Sequence, residues 1–424
     1  MSVPFKIDPE FARSLDDLDF LNAFRSRFHF PKHNDHDTVY FCGNSLGLQP
    51  RSASYLFQKE LDDWAKWGVE GHFNAENPWL SYHRQFTASL ARISGALEKE
   101  VVATNTLTVN LHLLMISFYK PDKASGRVKI IMEAGAFPSD QYAVETQVRM
   151  HGLQPEEAII ELAPRPGEHT LRPEDILATI EATGDELALV MMGGVNYYTG
   201  QLYDMASITA AAHKAGALAG FDLAHAMGNV PLELHRWDVD FACWCSYKYL
   251  NAGPGGVAGI FVNERHIDNP DTFRLAGWWG NDEATRFRMR KGFVPSPSAD
   301  SWQMSNAPVF NMIGLKASLD IYDKTTITEL RQKSVKLTAY LEFLLQDITH
   351  LDFEIITPSD PEQRGAQLSL LFDRDGRKVF DILTANGVIA DWREPNVIRI
   401  APVPMYNTFE DVYKFYEILK GIQL

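Results

Sequence analysis

The stretch CWCSYKYLNAGPGG, residues 243–256, sets a single lysine, Lys248, between two tyrosines and directly before a glycine-rich turn. An amine so placed is either a solvated charge or a nucleophile able to form a Schiff base with a carbonyl compound. Other reactive groups follow apolar runs in the same way. Asp222 closes ALAGFD, and His225 comes three residues later. Phe137, Pro138, Ser139 and Asp140 follow VKIIM, and Gly193, Asn196 and Tyr197 follow LALVMM. Leu107 and Thr108 begin an apolar stretch whose first turn offers backbone N–H groups to an anion. A Schiff-base lysine, a carboxylate for a ring nitrogen, a stacking aromatic ring and a phosphate-binding helix start are the parts that pyridoxal phosphate requires. Taken singly, each residue has a plainer reading: Lys248 solvated, Asp222 a turn cap, His225 an ordinary hydrogen-bonded histidine, Phe137 core. Their joint placement is what points to the cofactor.

Positioning them demands strands that end at one crevice. VKIIM (128–132), LALVMM (187–192), ALAGFD (217–222) and DFACWCS (240–246) are short apolar runs separated by helical patterns. That alternation predicts a mostly parallel α/β sheet, whose ligands bind beyond the carboxyl ends of the strands. NTLTVNLHLLMISFY reads as a helix opened by Asn105 or Thr106 and closed by Pro121, and Ser139 as the N-cap of the next. Asp204 caps an alanine-rich helix that ends at Gly216. GHFNAENPW reads as a loop. From about 308 to 347 a long helical region leads into strands FEIIT, GAQLSLLF and NVIRIAPV, with Thr408 and Asp411 opening a last helix as a capping box. The expected organisation is an N-terminal segment (1–60) packed on the core or a dimer partner. A large cofactor-binding α/β domain (61–310) and a small α+β C-terminal domain (311–424) follow.

The glycines of Gly253-Pro-Gly-Gly-Val-Ala fit a loose dinucleotide pattern, but a strand-like GVAGIFV follows where that motif needs a helix. They read instead as a turn behind the lysine. The chain has 424 residues, 45% of them hydrophobic, and a formal charge of −15, which disfavours nucleic acid or an anionic membrane as the main partner. Three cysteines give no disulfide framework and suit a reducing cytoplasm. Cys243 and Cys245 share one face of a strand and read as small buried residues rather than metal ligands. No apolar run approaches the roughly 18 residues needed to span a bilayer. The expectation is a cytoplasmic protein with no metal.

FDLAHAMGN followed by DFACWCSYKYLNAGPGG closely resembles the kynureninase family, pyridoxal-phosphate enzymes of the aspartate-aminotransferase fold (fold type I). YFCGNSLGLQP, NTLTVNLHLLM, AFPSDQYA, GGVNYYTGQ, GWWG, SNAP and IRIAPVPMYN extend the resemblance over nearly the whole chain. It implies that Lys248 carries the cofactor, Asp222 partners the pyridinium nitrogen and Phe137 stacks on the ring. Leu107, Thr108, Pro138, Ser139, Asp140, His225 and Tyr247 would complete the cofactor shell. Trp278 and Asn306 would reach in from the other subunit of a homodimer. Arg399 would clamp the substrate α-carboxylate, although by its own position it reads as a surface residue on a strand. Ser45, His72 and Asn306 would line the aryl end of the pocket. One departure is Gly193, where some relatives carry a hydroxyl residue, so a side-chain contact to the cofactor is missing there.

The implied reaction is hydrolysis of the Cβ–Cγ bond of kynurenine or 3-hydroxykynurenine to alanine and an anthranilate. Lys248 would move the Cα proton, and Tyr247 would exchange protons with the carbonyl and the departing carbon while holding the phosphate. His72 with Asn306 resembles the combination found with 3-hydroxykynurenine, which would place the protein in NAD synthesis. A kynurenine-preferring enzyme would serve tryptophan breakdown instead. Three rivals remain at this point: a cysteine desulfurase, a small-molecule aminotransferase and a scaffold of this fold without catalysis.

Overall fold

The computed structural model describes residues 4–424. The apolar runs form a seven-stranded sheet: β1 (Val101–Ala103), β2 (Lys129–Glu133), β3 (Ile159–Leu162), β4 (Leu187–Gly193), β5 (Leu218–Asp222), β6 (Phe241–Cys245) and β7 (Ala258–Val262). Their spatial order is β1-β7-β6-β5-β4-β2-β3. β2 to β6 pair in parallel, and β7 runs antiparallel to both β6 and β1. Every residue of β4, β6 and β7 is buried. That explains their unbroken apolar sequences, since a sheet covered on both faces has no polar side to write into the pattern.

The helices supply the cover: α1 (Pro9–Asp17), α2 (Ala53–Trp67), α3 (Leu107–Phe118), α4 (Pro138–Met150), α5 (Pro173–Thr183), α6 (Met205–Lys214), α7 (Val309–Tyr322), α8 (Ile327–Leu345), α9 (Gly376–Ala385) and α10 (Phe409–Lys420). Leu111, Leu114 and Met115 of α3 and Val144 of α4 pack on one sheet face, with Ile130, Met132, Leu189, Met191 and Phe241. Ile131, Val190, Met192, Ala242 and Trp244 point the other way, toward Ile176 and Ile180 of α5 and Ile208 and Ala212 of α6. The alternation is the strand period of two. Gly220 is required by this packing, because a Cβ there would lie 2.1 Å from the Phe241 ring.

The C-terminal part is an antiparallel sheet of β8 (Phe353–Ile355), β9 (Leu368–Phe372), β10 (Asp391–Arg393) and β11 (Val397–Ile400), ordered β8-β9-β11-β10. Leu341, Leu344, Val379, Val412 and Phe415 of α8, α9 and α10 bury it. Phe11 and Ala12 of α1 join the same core, and Val39–Tyr40 pairs in parallel with Val388–Ile389. The start of the chain is therefore tied to its end.

Several expectations are corrected. The helical region 308–347 is two helices, because Thr326 and Glu329 form a capping box that starts α8 afresh. Ser139 is not an N-cap: α4 begins at Pro138, whose fixed φ suits the first helical position, with Phe137 at the cap. β3 was not expected, and GHFNAENPW contains a helical turn, Gly71–Asn74. The capping box of Thr408 and Asp411 is present, and Asp204 accepts the backbone N–H of Ser207.

Candidate active site

The carboxyl ends of β2, β4, β5 and β6 and the first turns of α3 and α4 enclose a cavity of about 280 Å³. Leu107, Thr108, Phe137, Ser139, Asp140, Asp222, His225, Tyr247 and Lys248 line it, together with Thr106, Glu133, Gly193, Val195, Tyr197 and Ala224. Parallel register puts Asp222 beside Gly193 on β4 and Cys243 on β6. The two residues that follow β6 after Ser246 then bring Tyr247 and Lys248 to the same end. Gly253 and Gly255 adopt φ of +83° and +65°, so the chain turns away behind the lysine and returns as β7. No helix opens there, which removes the dinucleotide reading.

Lys248 is only 9% exposed, and its Nζ lies 5.8 Å from the centroid of the Phe137 ring and 6.0 Å from that of Tyr247. Phe137 lines the cavity and packs perpendicular to the Tyr197 ring, at 5.2 Å and 84°. Asp222 Oδ1 accepts the Ala224 N–H at 2.7 Å, which fixes the carboxylate, and its side chain shares a hydrogen bond with that of Asp140. Burial raises the Asp222 pKa, and the Lys248 amine opposes that shift. Burial and the neighbouring Asp222 charge push the Asp140 carboxyl well up. Burial and then the Lys248 charge hold His225 well below its ordinary value, so its ring is neutral. Burial also raises the Tyr247 phenol, which stays protonated and able to donate.

Among the described residues, Asp140 Oδ1 and His225 Nδ1 are buried without a hydrogen-bond partner. Buried polar atoms are normally paired, and both residues line this cavity, so these two atoms are suited to contact a ligand there. The first N–H groups of α3 open on the same space, without a side-chain cap to satisfy them. An aromatic face, a fixed carboxylate, an amine and a free helix start fit pyridoxal phosphate.

Not every expected residue reaches this cavity. Pro138 forms the first turn of α4 behind Phe137 and does not line it. Arg399, on β11, is 1% exposed, which overturns its reading as a surface residue. Its Nη1 donates to the Tyr197 carbonyl at 2.7 Å and its Nη2 to Asp391 Oδ2, so it stands directly behind Tyr197. Ser45 lies in the turn after Cys42, which bridges to Ala401, and Gly47 N–H donates to the Tyr247 carbonyl at 2.8 Å. That turn thus spans the lysine segment and the Arg399 strand.

His72 and Asn306 line a separate cavity of about 200 Å³ with Glu60, Trp64, Trp79 and Phe310. Trp278 is 47% exposed and packs on Trp279 and Phe287. One chain does not bring these three to Lys248. Sequence reasoning placed Tyr197 at a strand end without assigning it a role, and passed over Glu133, Val195 and Ala224. For Glu133 a signal was present: it is the last residue of β2, one beyond the apolar run that read as the strand.

Fold and site together define a pyridoxal-phosphate-dependent enzyme of fold type I. A mutant of C-DES with glycine covalently linked to its PLP cofactor superposes with a TM-score of 0.76, at 16% identity, over 91% of this chain and 97% of that one. The cysteine desulfurase CsdA from Escherichia coli gives 0.74 at 18% identity, over 94% and 97%. Residues 330–419 match the kynureninase C-terminal domain family. The kynureninases of Flavobacterium johnsoniae and Myxococcus xanthus are each 54% identical, over 98% of both chains compared, and that of Nematostella vectensis is 49% identical over 98% of this chain and 94% of its own. The chain belongs to the kynureninase family, whose members are hydrolases acting on carbon–carbon bonds.

Proposed function

We propose that this enzyme hydrolyses the Cβ–Cγ bond of L-kynurenine and 3-hydroxy-L-kynurenine, releasing L-alanine and the corresponding anthranilate. The observation that carries the reading is the convergence of Lys248, Asp222, Phe137 and Tyr247 on one cavity in a chain of this family. Bound pyridoxal phosphate supplies an electron sink, which a carbon–carbon bond beside an aryl ketone needs in order to break. Asp222 holds the ring nitrogen protonated, Phe137 covers the ring face, and Thr108, His225 and the start of α3 take the phosphate side. Lys248 takes the proton from the substrate's Cα. Water adds to the γ-carbonyl, and the Cβ–Cγ bond of the hydrated ketone breaks to leave the anthranilate carboxyl group. As it breaks, Tyr247, kept protonated by burial, gives a proton to the departing β-carbon, which becomes the methyl group of alanine. Arg399, held by Asp391 and the Tyr197 carbonyl, takes the α-carboxylate with the guanidinium N–H groups those partners leave over.

The enzyme works as a homodimer in which Trp278 and Asn306 complete the partner's cavity. The exposure of Trp278, and of Phe287 on which it packs, supports this, since a large aromatic pair left in solvent by one chain is suited to a partner's surface. His72 Nδ1 donates to the Val69 carbonyl at 2.9 Å. A carbonyl only accepts, so in the neutral ring Nε2 is left as an acceptor. A phenol donates to such an atom, which favours the 3-hydroxylated substrate and a place in NAD synthesis. The test is parallel initial rates on both substrates, following the anthranilate and alanine together. Cleavage of neither by cofactor-loaded protein would overturn the reading, and a kcat/KM ratio favouring kynurenine would reverse the preference.

A further inference from the structure

The cavity around Lys248 holds two more carboxyl groups than the mechanism uses. Glu133, Asp140 and Asp222 all line it, and each is more than nine-tenths buried, with exposures of 5%, 8% and 6%. Lys248 is the one amine among its lining residues. Three carboxylates cannot all stay ionised in so small a buried space against a single cation, because each charge raises the cost of the next. Their hydrogen bonds differ. Asp222 has the Ala224 N–H, a side-chain hydrogen bond shared with Asp140 and the nearby Lys248 charge. Glu133 has its own backbone N–H and that of Gly193, which faces Oε1 at 3.1 Å and Oε2 at 3.3 Å. Asp140 has an oxygen with no partner among the described residues.

The room for Glu133 comes from Gly193. A Cβ at that position would stand 3.0 Å from Glu133 Oε1, so a side chain there would press on the carboxyl group. Asp222 pairs with Gly193 across β4 and β5, which sets Glu133 next to the strand position that carries the ring partner.

We propose that Glu133 is a positioning residue that stores a proton beside Asp222 and so sets the charge that Asp222 and Lys248 present to the cofactor. This rests on Lys248 and Asp222 being the cofactor's partners. The ionisable groups around Glu133 are Asp222 from β5, Asp140 from α4 and Tyr203 from the turn after β4, with Tyr197, Tyr247 and Lys248 on the same cavity. The His225 ring on the same cavity is neutral. Burial, reinforced by the Asp222 charge, raises Glu133 to about 7, while its own backbone N–H and that of Gly193 oppose the rise. Below that pH Glu133 is neutral and Asp222 carries the negative charge alone. Above it a second negative charge stabilises a protonated Lys248 linkage.

E133Q separates charge from structure, because the amide oxygen still accepts the Gly193 N–H. The measurement is the pH titration of the visible absorption of the cofactor–lysine linkage in the holoenzyme, with K248A as a control. With the negative charge gone, the protonated linkage is less favoured, and its midpoint moves to lower pH by about 1 unit, the low end of what a neighbouring charge does. A curve superimposable on the wild type would overturn the proposal and leave Glu133 a structural residue. If E133Q takes up no cofactor, wild-type protein labelled with carbon-13 in its glutamate carboxyl groups decides instead. One carboxyl resonance must titrate near neutrality rather than near the ordinary value of about 4.3, and failure to find one would overturn the proposal. Persistence of the linkage band in K248A would sink the cofactor placement itself, and this proposal with it.

Discussion

Replacing Asp222 by Asn isolates its charge with little change of shape. Oδ1 accepts the Ala224 N–H at 2.7 Å, and only the oxygen of an asparagine amide can take over that role. The NH₂ group must then face the ring nitrogen as a donor, which stabilises an unprotonated pyridine and reverses the requirement of the mechanism. Two effects add in the same direction. The lost attraction between a carboxylate and a ring cation about 3 Å away, at an effective dielectric of about 20, is about 5 kcal/mol. At ~1.4 kcal/mol per decade this corresponds to a fall in kcat of about 10³–10⁴. The assay is single-turnover kinetics on cofactor-saturated D222N, alongside a direct measure of cofactor content. Retained cofactor with kcat within tenfold of wild type would refute the reasoning, because the buried charge would then be idle.

R399K keeps a positive charge but loses the planar fork, so KM should rise about 10- to 100-fold through loss of one charge-assisted hydrogen bond, with kcat much less affected. Steady-state kinetics against a substrate analogue lacking the α-carboxylate checks this, since the analogue should not distinguish the two proteins. Mixing K248A with W278A protein tests the shared site: hybrid dimers keep one intact cavity, so about a quarter of wild-type activity should return on random exchange. No recovery after verified subunit exchange would place Trp278 outside its partner's site. At the opposite end of the sheet, Asp240 is fully buried and accepts from His213 at 2.9 Å, His266 at 2.7 Å and the Ala219 N–H at 2.7 Å, beside Arg265. Hydrogen bonds and the Arg265 charge hold its carboxyl well below the ordinary range despite burial. A depressed folded-state pKa contributes stability above the unfolded value of about 3.9 and loses it as the pH falls below. D240N should therefore lower thermal stability at pH 7 by about 3 kcal/mol, with the gap from wild type narrowing below about pH 4.

The parts of the site that lie at strand ends were legible because the strands themselves were. β4, β5 and β6 are unbroken apolar runs, and a polar residue straight after such a run falls at the mouth of the sheet. The same rule hid Glu133, since a charged residue at the end of VKIIM looks like the edge of the strand when it is in fact its last buried member. Arg399 was misread for a related reason. Its cation is paid for by Asp391 on the adjacent strand and by the Tyr197 carbonyl some 200 residues away in the sequence, and neither partnership has a local signature. β3 went unseen because only its last residue is fully buried. The pairing of Val39–Tyr40 with Val388–Ile389 joins segments too distant for any pattern to connect. His72 and Asn306 show a different limit, for sequence motifs brought them to the substrate while one chain holds them in a cavity of their own.

The central claim is that Lys248 carries the cofactor, and borohydride reduction of the holoenzyme followed by peptide mapping tests it most directly. Reduction fixes the cofactor to the amine that holds it. The account predicts one modified lysine, within the peptide containing SYKYLNAGPGG, with activity lost in proportion to its modification. A label on any other lysine, or full inactivation with Lys248 unmodified, would contradict it.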